Sequence, residues 1–482
     1  LLSLPMAVFR SPARGGANVG WRWWVRGLAG RGGVAGLEWV LIPVGLVLTA
    51  GLAISSLLGD SLTFDETLHL TAGMSRWKTG DFRLVPETPP LAQMWAALPL
   101  MLTTVRWVPP DDADWRLADA WAVGHTWLYQ LNDGERLLVP ARCMIVVLLL
   151  ATCLAIYATA RRLFGRAGAL LAFGLACLDP GLLAHGRLVT ADLPAALCFL
   201  LVLLSFGWLL ERVSWWRLLV TTLAGGALCL VKFSWPLVLP GLVVMSAAAV
   251  FQARPLECPI LRWLWRSGSR RDGPAVLVFR RSQRAAVLAG AGLLGAVGAW
   301  VLIWTCYGWQ YSPFRGPDRD WAILPNMSAS AAGPASSNAQ AWEIVLGVKD
   351  GVPEHPRLAA VVGWARRVRL LPEAYLFAWS YVNLGLKRPA YLAGEVSDRG
   401  WLAFFPIAFA IKTPIATMIV LLSAIVALVV RRVRLGDGGP GGVATPVGTG
   451  GSWPASALGG PACGSRVPLL AGLASFVVVY FV

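Results

Sequence analysis

The sequence predicts an all-α, polytopic membrane protein, and three observations carry that expectation. Hydrophobic residues make up 56% of the 482-residue chain and charged residues only 14%, where soluble domains carry about a quarter charged residues. The mean hydropathy is +0.61. The apolar residues are gathered into runs close to the roughly 20 residues that a helix needs to cross the hydrocarbon of a bilayer. The basic residues, which bring the formal net charge to +16, sit in short clusters between those runs. Such clusters report membrane topology, and no nucleic-acid partner is expected.

Residues 1–35 form a basic arm (Arg10, Arg14, Arg22, Arg26, Arg31), expected on the cytoplasmic side. The first span, 36–58, is longer than the core of a signal peptide and no cleavage site closes it, so it reads as an anchor. An outer loop, 59–136, follows. The second span, 137–160, returns to the basic turn Arg161-Arg162-Leu163-Phe164-Gly165-Arg166. The third and fourth, 167–183 and 193–210, bracket a short outer loop. The fifth and sixth, 218–231 and 235–251, form a hairpin around Lys232. They lead into a loop with Arg262, Arg266, Arg270, Arg271, Arg280 and Arg281, the strongest positive-inside signal of the chain. A seventh span, 285–306, completes a transmembrane bundle over 36–306. Residues 307–400 are too long for a linker and contain mildly helical, Trp-bearing stretches, which predicts an outer-face helical subdomain. A further transmembrane helix is expected within 401–434, ending in Arg431-Arg432-Val433-Arg434. Residues 435–466 read as a Gly/Pro-rich cytoplasmic linker, and 467–482 as part of one more span, so an incomplete copy of a longer protein is expected.

The chemistry-bearing residues cluster on the expected outer face. Just beyond the first span, Asp65 and His69 stand at i and i+4 and Glu66 and His69 at i and i+3, on one face of a helix. Asp65 serves either as a general base for an acceptor hydroxyl or as a plain helix cap, and spacing leaves both open. Glu66 and His69 either orient it or complete, with Asp65, a divalent-cation site. Arg83 and Glu87 add a cation and a carboxylate before the rigid Pro89-Pro90 bend. His185, Arg187 and Asp192 form a second wall, unless Asp192 merely caps the fourth span and Arg187 snorkels toward headgroups. Lys412 lies near the outer boundary of the last complete span, where its ammonium can pair with a lipid phosphate. Lys232 faces the same side as a weaker candidate. The eight cysteines show no CxxC or other metal spacing and no disulfide framework.

The order of these features resembles the GT-C membrane glycosyltransferases: Asp65-Glu66 after the first span, Pro89-Pro90-Leu91 closing the first outer loop, Leu163-Phe164-Gly165 in a basic turn, and His185 to Asp192. More narrowly, the chain is similar to the branch with protein O-mannosyltransferases and bacterial lipid A aminoarabinose transferases. The stretch from Phe404-Phe405-Pro406 to Lys412-Thr413-Pro414, preceded by Leu371-Pro372-Glu373-Ala374-Tyr375 and Gly394-Glu395, is similar to bacterial phospholipid-carrier-dependent glycosyltransferases. The resemblance runs from about residue 37 to 430. It implies a polyprenyl-phosphate sugar donor, a site formed by outer-face (periplasmic) loops, Asp65 as the catalytic carboxylate with Glu66 beside it, and Asp192 in the second loop of the site. Aminoarabinose transferases carry a lysine directly before the Pro-Pro pair. This sequence has Thr88 there, and Arg83, Arg187 and Lys412 are the cations offered in its place.

The expectation is therefore a multi-pass enzyme of a bacterial cytoplasmic membrane. It would transfer a sugar from a polyprenyl phosphate to a protein, lipid or glycan acceptor at the outer face. A transporter or flippase of lipid-linked saccharides is the alternative. Its polar residues would line a path through the bundle, whereas the charges noted here cluster at one face.

Overall fold

The computed structural model describes residues 33–260, 277–313, 338–349, 351–385, 389–398, 400–436 and 468–474. The basic arm up to residue 32, Arg262 to Arg271 of the basic loop, and most of the linker and of the final apolar run lie outside the described residues. Helices dominate. Strands occur only as the short antiparallel pairs β1 (Leu256–Glu257) with β2 (Leu277–Val278), β3 (Val348–Lys349) with β4 (Val352–Pro353), and β5 (Ala390–Leu392) with β6 (Glu395–Ser397). The chain is an all-α, multi-pass membrane protein.

The first helix, α1 (Gly33–Leu57), is apolar on every face, yet much of its surface is open: Val47 is 72% exposed, and Val40 and Val44 are exposed as well. A helix that is apolar all round and not buried in protein has a bilayer as its solvent. It leads through a short loop to α2 (Phe64–Thr79), α3 (Pro90–Ala97) and the small helices α4 (Ala113–Arg116) and α5 (Ala120–His125), which fill the expected first loop.

The next helical run, α6 (Gly134–Cys177), is too long for one crossing and is broken at Gly165, whose φ of 80° and ψ of −167° are open in practice only to glycine. Side-chain contacts to α1 show that the chain reverses there. Arg142 donates to Leu57 O at one end of α1. Tyr157 donates to Glu38 at the other end at 2.9 Å, and Arg161 joins it. Beyond Gly165, Arg166 again reaches Glu38, Cys177 O accepts from Thr49 Oγ1, and Arg187 meets Ser56 O. The two arms are the expected second and third spans joined by the basic turn. The second arm stops at Cys177, where Asp179 caps a separate short helix, α7 (Pro180–His185).

Four more helices complete the bundle: α8 (Asp192–Glu211), α9 (Trp215–Val231), α10 (Leu239–Phe251) and α11 (Arg281–Cys306). Among the described residues α1, α6, α8 and α11 are long and apolar enough to cross a membrane, and α9 and α10 are shorter apolar helices. Arginines tie the ends of these helices together. Glu211 takes Arg162 and Arg217, Arg212 pairs with Glu257, and Arg284 donates to the carbonyls of Val250 and Val278. One end of the bundle is thus arginine-rich, and the end that holds Leu57, Arg142 and Asp192 is the opposite one.

Within 307–400 stand α12 (Asn338–Val345), α13 (Pro356–Arg367) and α14 (Glu373–Ser380), packed around Trp342, Val345, Val362 and Phe377. The stretch 401–430 is longer than one span and is not one continuous helix. It divides into α15 (Phe404–Lys412) and α16 (Ile415–Gly436), bent by 112°. Pro414 has no N–H for the helical ladder, and it pushes Thr413 into the extended region (ψ 129°).

Candidate active site

The acidic pair after α1 is split by the helix it starts. Thr63 is the N-cap of α2 and Glu66 its third residue, so the Glu66 carboxylate swings back to accept the Thr63 N–H and hydroxyl, each at 3.0 Å, as one half of a capping box. Glu66 is 0% exposed. Arg142 grips it through a fork, Nε to Oε1 at 2.8 Å and Nη2 to Oε2 at 2.6 Å, and the Val189 N–H adds a bond at 3.0 Å. Burial alone would raise this carboxyl, but the Arg142 contact and the two amides outweigh it and hold it below the usual carboxylate value. Arg142 also donates to Asp60 O at 2.8 Å and Ser61 O at 2.9 Å. One buried ion pair therefore pins the end of α1, the start of α2, α6 and the loop before α8.

Asp65 is one residue earlier, about 100° around the helix, and is exposed. Its carboxylate has no hydrogen-bond or ion-pair partner among the described residues. One turn on, His69 Nδ1 lies 2.7 Å from Gln93 Nε2 of α3. Burial presses the imidazole down to about 4 against the upward pull of Asp65, Asp192 and Glu66, so the ring is neutral near pH 7. With Gln93 donating to Nδ1, the ring proton sits on Nε2. Gln93 is 1% exposed, and its buried Oε1 has no partner among the described residues. Asp192, at the start of α8, receives Lys232 Nζ and feels the charges of His185 and His69. Asp65, His69, His185, Asp192 and Lys232 thus share one electrostatic neighbourhood beside Gln93.

The other expected residues lie in different settings. Arg187 is ion-paired with Asp60 at the end of α1. Arg83 is 1% exposed, paired with Asp81 at 2.8 Å and bonded to the carbonyls of Trp115 and Arg116. Its guanidinium braces the first loop and does not present an open cation. Glu87 is half-buried and acts on Arg76. Lys412 is exposed at the end of α15 and has no ion pair among the described residues. The neighbouring start of α16 (Pro414, Thr417) lines a cleft with Leu170 and Asp179 of the third span and its end.

A divalent cation on Asp65, Glu66 and His69 does not fit this geometry. Glu66 spends its oxygens on Arg142 and amides, and among the described residues no three His, Cys, Asp or Glu side chains converge.

Arg142, Gln93 and Arg76 were not singled out in the sequence. Arg142 left a readable signal, since an arginine inside an apolar run demands a buried partner. Gln93, in a short helix after Pro90, left none.

Residues 130–263 match the family model described as dolichyl-phosphate-mannose-protein mannosyltransferase. That stretch of the chain is similar to a mannosyltransferase family. It spans α6 to α10 and contains Arg142, His185, Arg187, Asp192 and Lys232, while Asp65 and His69 precede it. The match upholds the likeness to GT-C glycosyltransferases read from the sequence and supports a membrane glycosyltransferase. No curated protein and no solved structure matches the chain.

Proposed function

We propose that the protein is a glycosyltransferase that moves a sugar from a polyprenyl-phosphate donor to a protein, lipid or glycan acceptor at the outer face of the cytoplasmic membrane. The observation that carries this reading is the exposed Asp65 carboxylate, held beside a saturated Glu66–Arg142 pair and acting, like the Lys232-paired Asp192, on His69. The family match over residues 130–263 supports the reaction class. The opposite, arginine-rich end fits the cytoplasmic side.

In the proposed step Asp65 takes the proton of an acceptor hydroxyl as its oxygen attacks the anomeric carbon. The bond from that carbon to the phosphate oxygen breaks, its electrons leave on the polyprenyl phosphate, and the configuration inverts. Lys232 offsets charge on the Asp192 side. The neutral His69 presents Nε2–H to a sugar hydroxyl, and Gln93, bonded to Nδ1, fixes that tautomer. Glu66 acts as a positioning residue, since Arg142 and the capping box fix the first turn of α2 on which Asp65 stands.

The test is mass-spectrometric detection of a transferred sugar when the purified protein is given short-chain polyprenyl-phosphate sugars and membrane acceptors. Asp65→Asn is expected to lower turnover about a hundredfold or more, with unchanged thermal stability. Transfer at the wild-type rate by this variant would remove Asp65 from the chemistry.

A further inference from the structure

The helix α13 has two apolar faces and buries only one of them. Val362 and Ala365 pack inward with Trp342, Val345 and Phe377. Leu358, Val361, Trp364 and Val368, spaced by three and four residues, form a second stripe that is open, with Val361 59% and Trp364 53% exposed. A helix surrounded by water turns such a stripe toward a core, so this one calls for an apolar neighbour. Its place in the fold says which. α11 is long and apolar enough to cross a membrane, and it leaves Leu293, Val297 and Val301 exposed to lipid. Toward its Cys306 end stand Trp300, Trp304 and Trp309, with the Trp304 and Trp309 rings stacked at 6.0 Å, and indoles in such a position mark the headgroup level. Trp300 Nε1 and Trp304 Nε1 both donate to Leu370 O, at 2.6 and 3.2 Å, and the Tyr311 hydroxyl donates to Arg366 O at 3.2 Å. The C-terminal end of α13 is thereby tied to the level at which α11 leaves the hydrocarbon. Arg357 and Arg367, near the two ends of α13, are exposed and have no ion pair among the described residues, whereas Arg366 is paired with Glu373 at 3.5 Å.

We propose that α13 is an interfacial helix: its open stripe is seated in the leaflet at the Cys306 end of α11, and Arg357 and Arg367 meet anionic lipid headgroups there. An apolar face bordered by arginines suits the boundary between acyl chains and headgroups, because the long side chains reach from one layer into the other. The occupant is lipid and not a second protein, since Trp300 and Leu370, both exposed and bonded to each other, join the stripe to the surface of α11 that lipid covers. The small helical subdomain of α12 to α14 is then carried on the bilayer surface instead of standing free above it. The inference rests on the membrane helices and not on the transferase reading.

The full-length protein is reconstituted in nanodiscs made from equal amounts of phosphatidylcholine and phosphatidylglycerol. Benzoylphenylalanine replaces Val361, Trp364 or, as a reference on α11, Val297, and the adducts formed on irradiation are identified by mass spectrometry. All three positions are exposed, so the probe displaces no packed side chain. The two α13 positions should give lipid adducts in yields within about fivefold of the Val297 position. Adducts to another segment of this chain or to a second copy, or lipid yields further below the reference than that, overturn the proposal. At Val361 the adducts with phosphatidylglycerol should outnumber those with phosphatidylcholine about threefold, and Arg357→Gln combined with Arg367→Gln should bring the ratio close to one. A ratio already close to one with both arginines in place overturns the assignment to anionic headgroups.

Discussion

The two ends of the helix bundle treat buried carboxylates alike and exposed ones differently. At the arginine-rich end Glu38 is held by Tyr157, Arg161 and Arg166, and Glu211 by Arg162 and Arg217. At the opposite end Glu66 is held as firmly, by Arg142, Thr63 and Val189. There, however, a second carboxylate, Asp65, stands next to the saturated one and is left exposed, with a neutral histidine one turn away. Charge that is consumed by partners holds helices together. Charge that the same scaffold fixes in place but leaves open is what a reaction can use.

The largest effect should come from breaking the saturated pair. Arg142→Met strands Glu66 in a dry site and should cost about 3–5 kcal/mol, read as loss of thermal stability in detergent. Arg161→Met, at the other end, should cost clearly less, because Glu38 keeps Tyr157 and Arg166. Equal losses would mean that the two ends are not built differently. Gly165→Ala tests the reversal that brings both arms of α6 onto α1. No neighbouring atom obstructs a new Cβ, so the expected loss of about 1–3 kcal/mol comes from backbone strain alone.

A sharper comparison sets Lys232 against Lys412. The Lys232–Asp192 pair is partly exposed, so Lys232→Ala should change stability by less than about 1 kcal/mol. If the pair belongs to the site, the same variant should lower turnover about tenfold. Lys412→Ala, at a position the described residues do not join to the cluster, should leave donor affinity within about twofold. A larger loss of affinity would restore Lys412 to the site.

The comparison extends to pH dependence. His69 has its folded pKa pushed down by burial, to about 4, so between about 6.5 and 4 the unfolded chain binds the proton that the folded one refuses. Stability should therefore decline as pH falls through that window, and His69→Gln should remove that part of the decline. Glu66 is lowered as well, so its contribution is present above its ordinary value of 4.5 and is lost only in stronger acid. Melting curves at pH 7, 5.5 and 4.5 for wild type and His69→Gln separate the two.

The apolar runs by themselves determined that the chain is an all-α, multi-pass membrane protein. A run near 20 residues has no stable place but a bilayer or a core, and Gly165 within a basic turn marks where the chain must reverse. The local pattern around residue 65 also determined that Asp65, Glu66 and His69 share one helix. What it could not determine is which carboxylate stays open, because the answer lies in residues far along the chain: Arg142, Val189 and Gln93 reach the start of α2 only once α3, α6 and α8 are packed. The same holds for Arg83, a cation in the sequence and a buried brace in the fold, and for Lys412, which the bend at Pro414 sets at a junction of its own. Helix formation follows from nearest neighbours and hydropathy. The state of a charged side chain depends on what desolvates and pairs with it, and tertiary packing alone decides that.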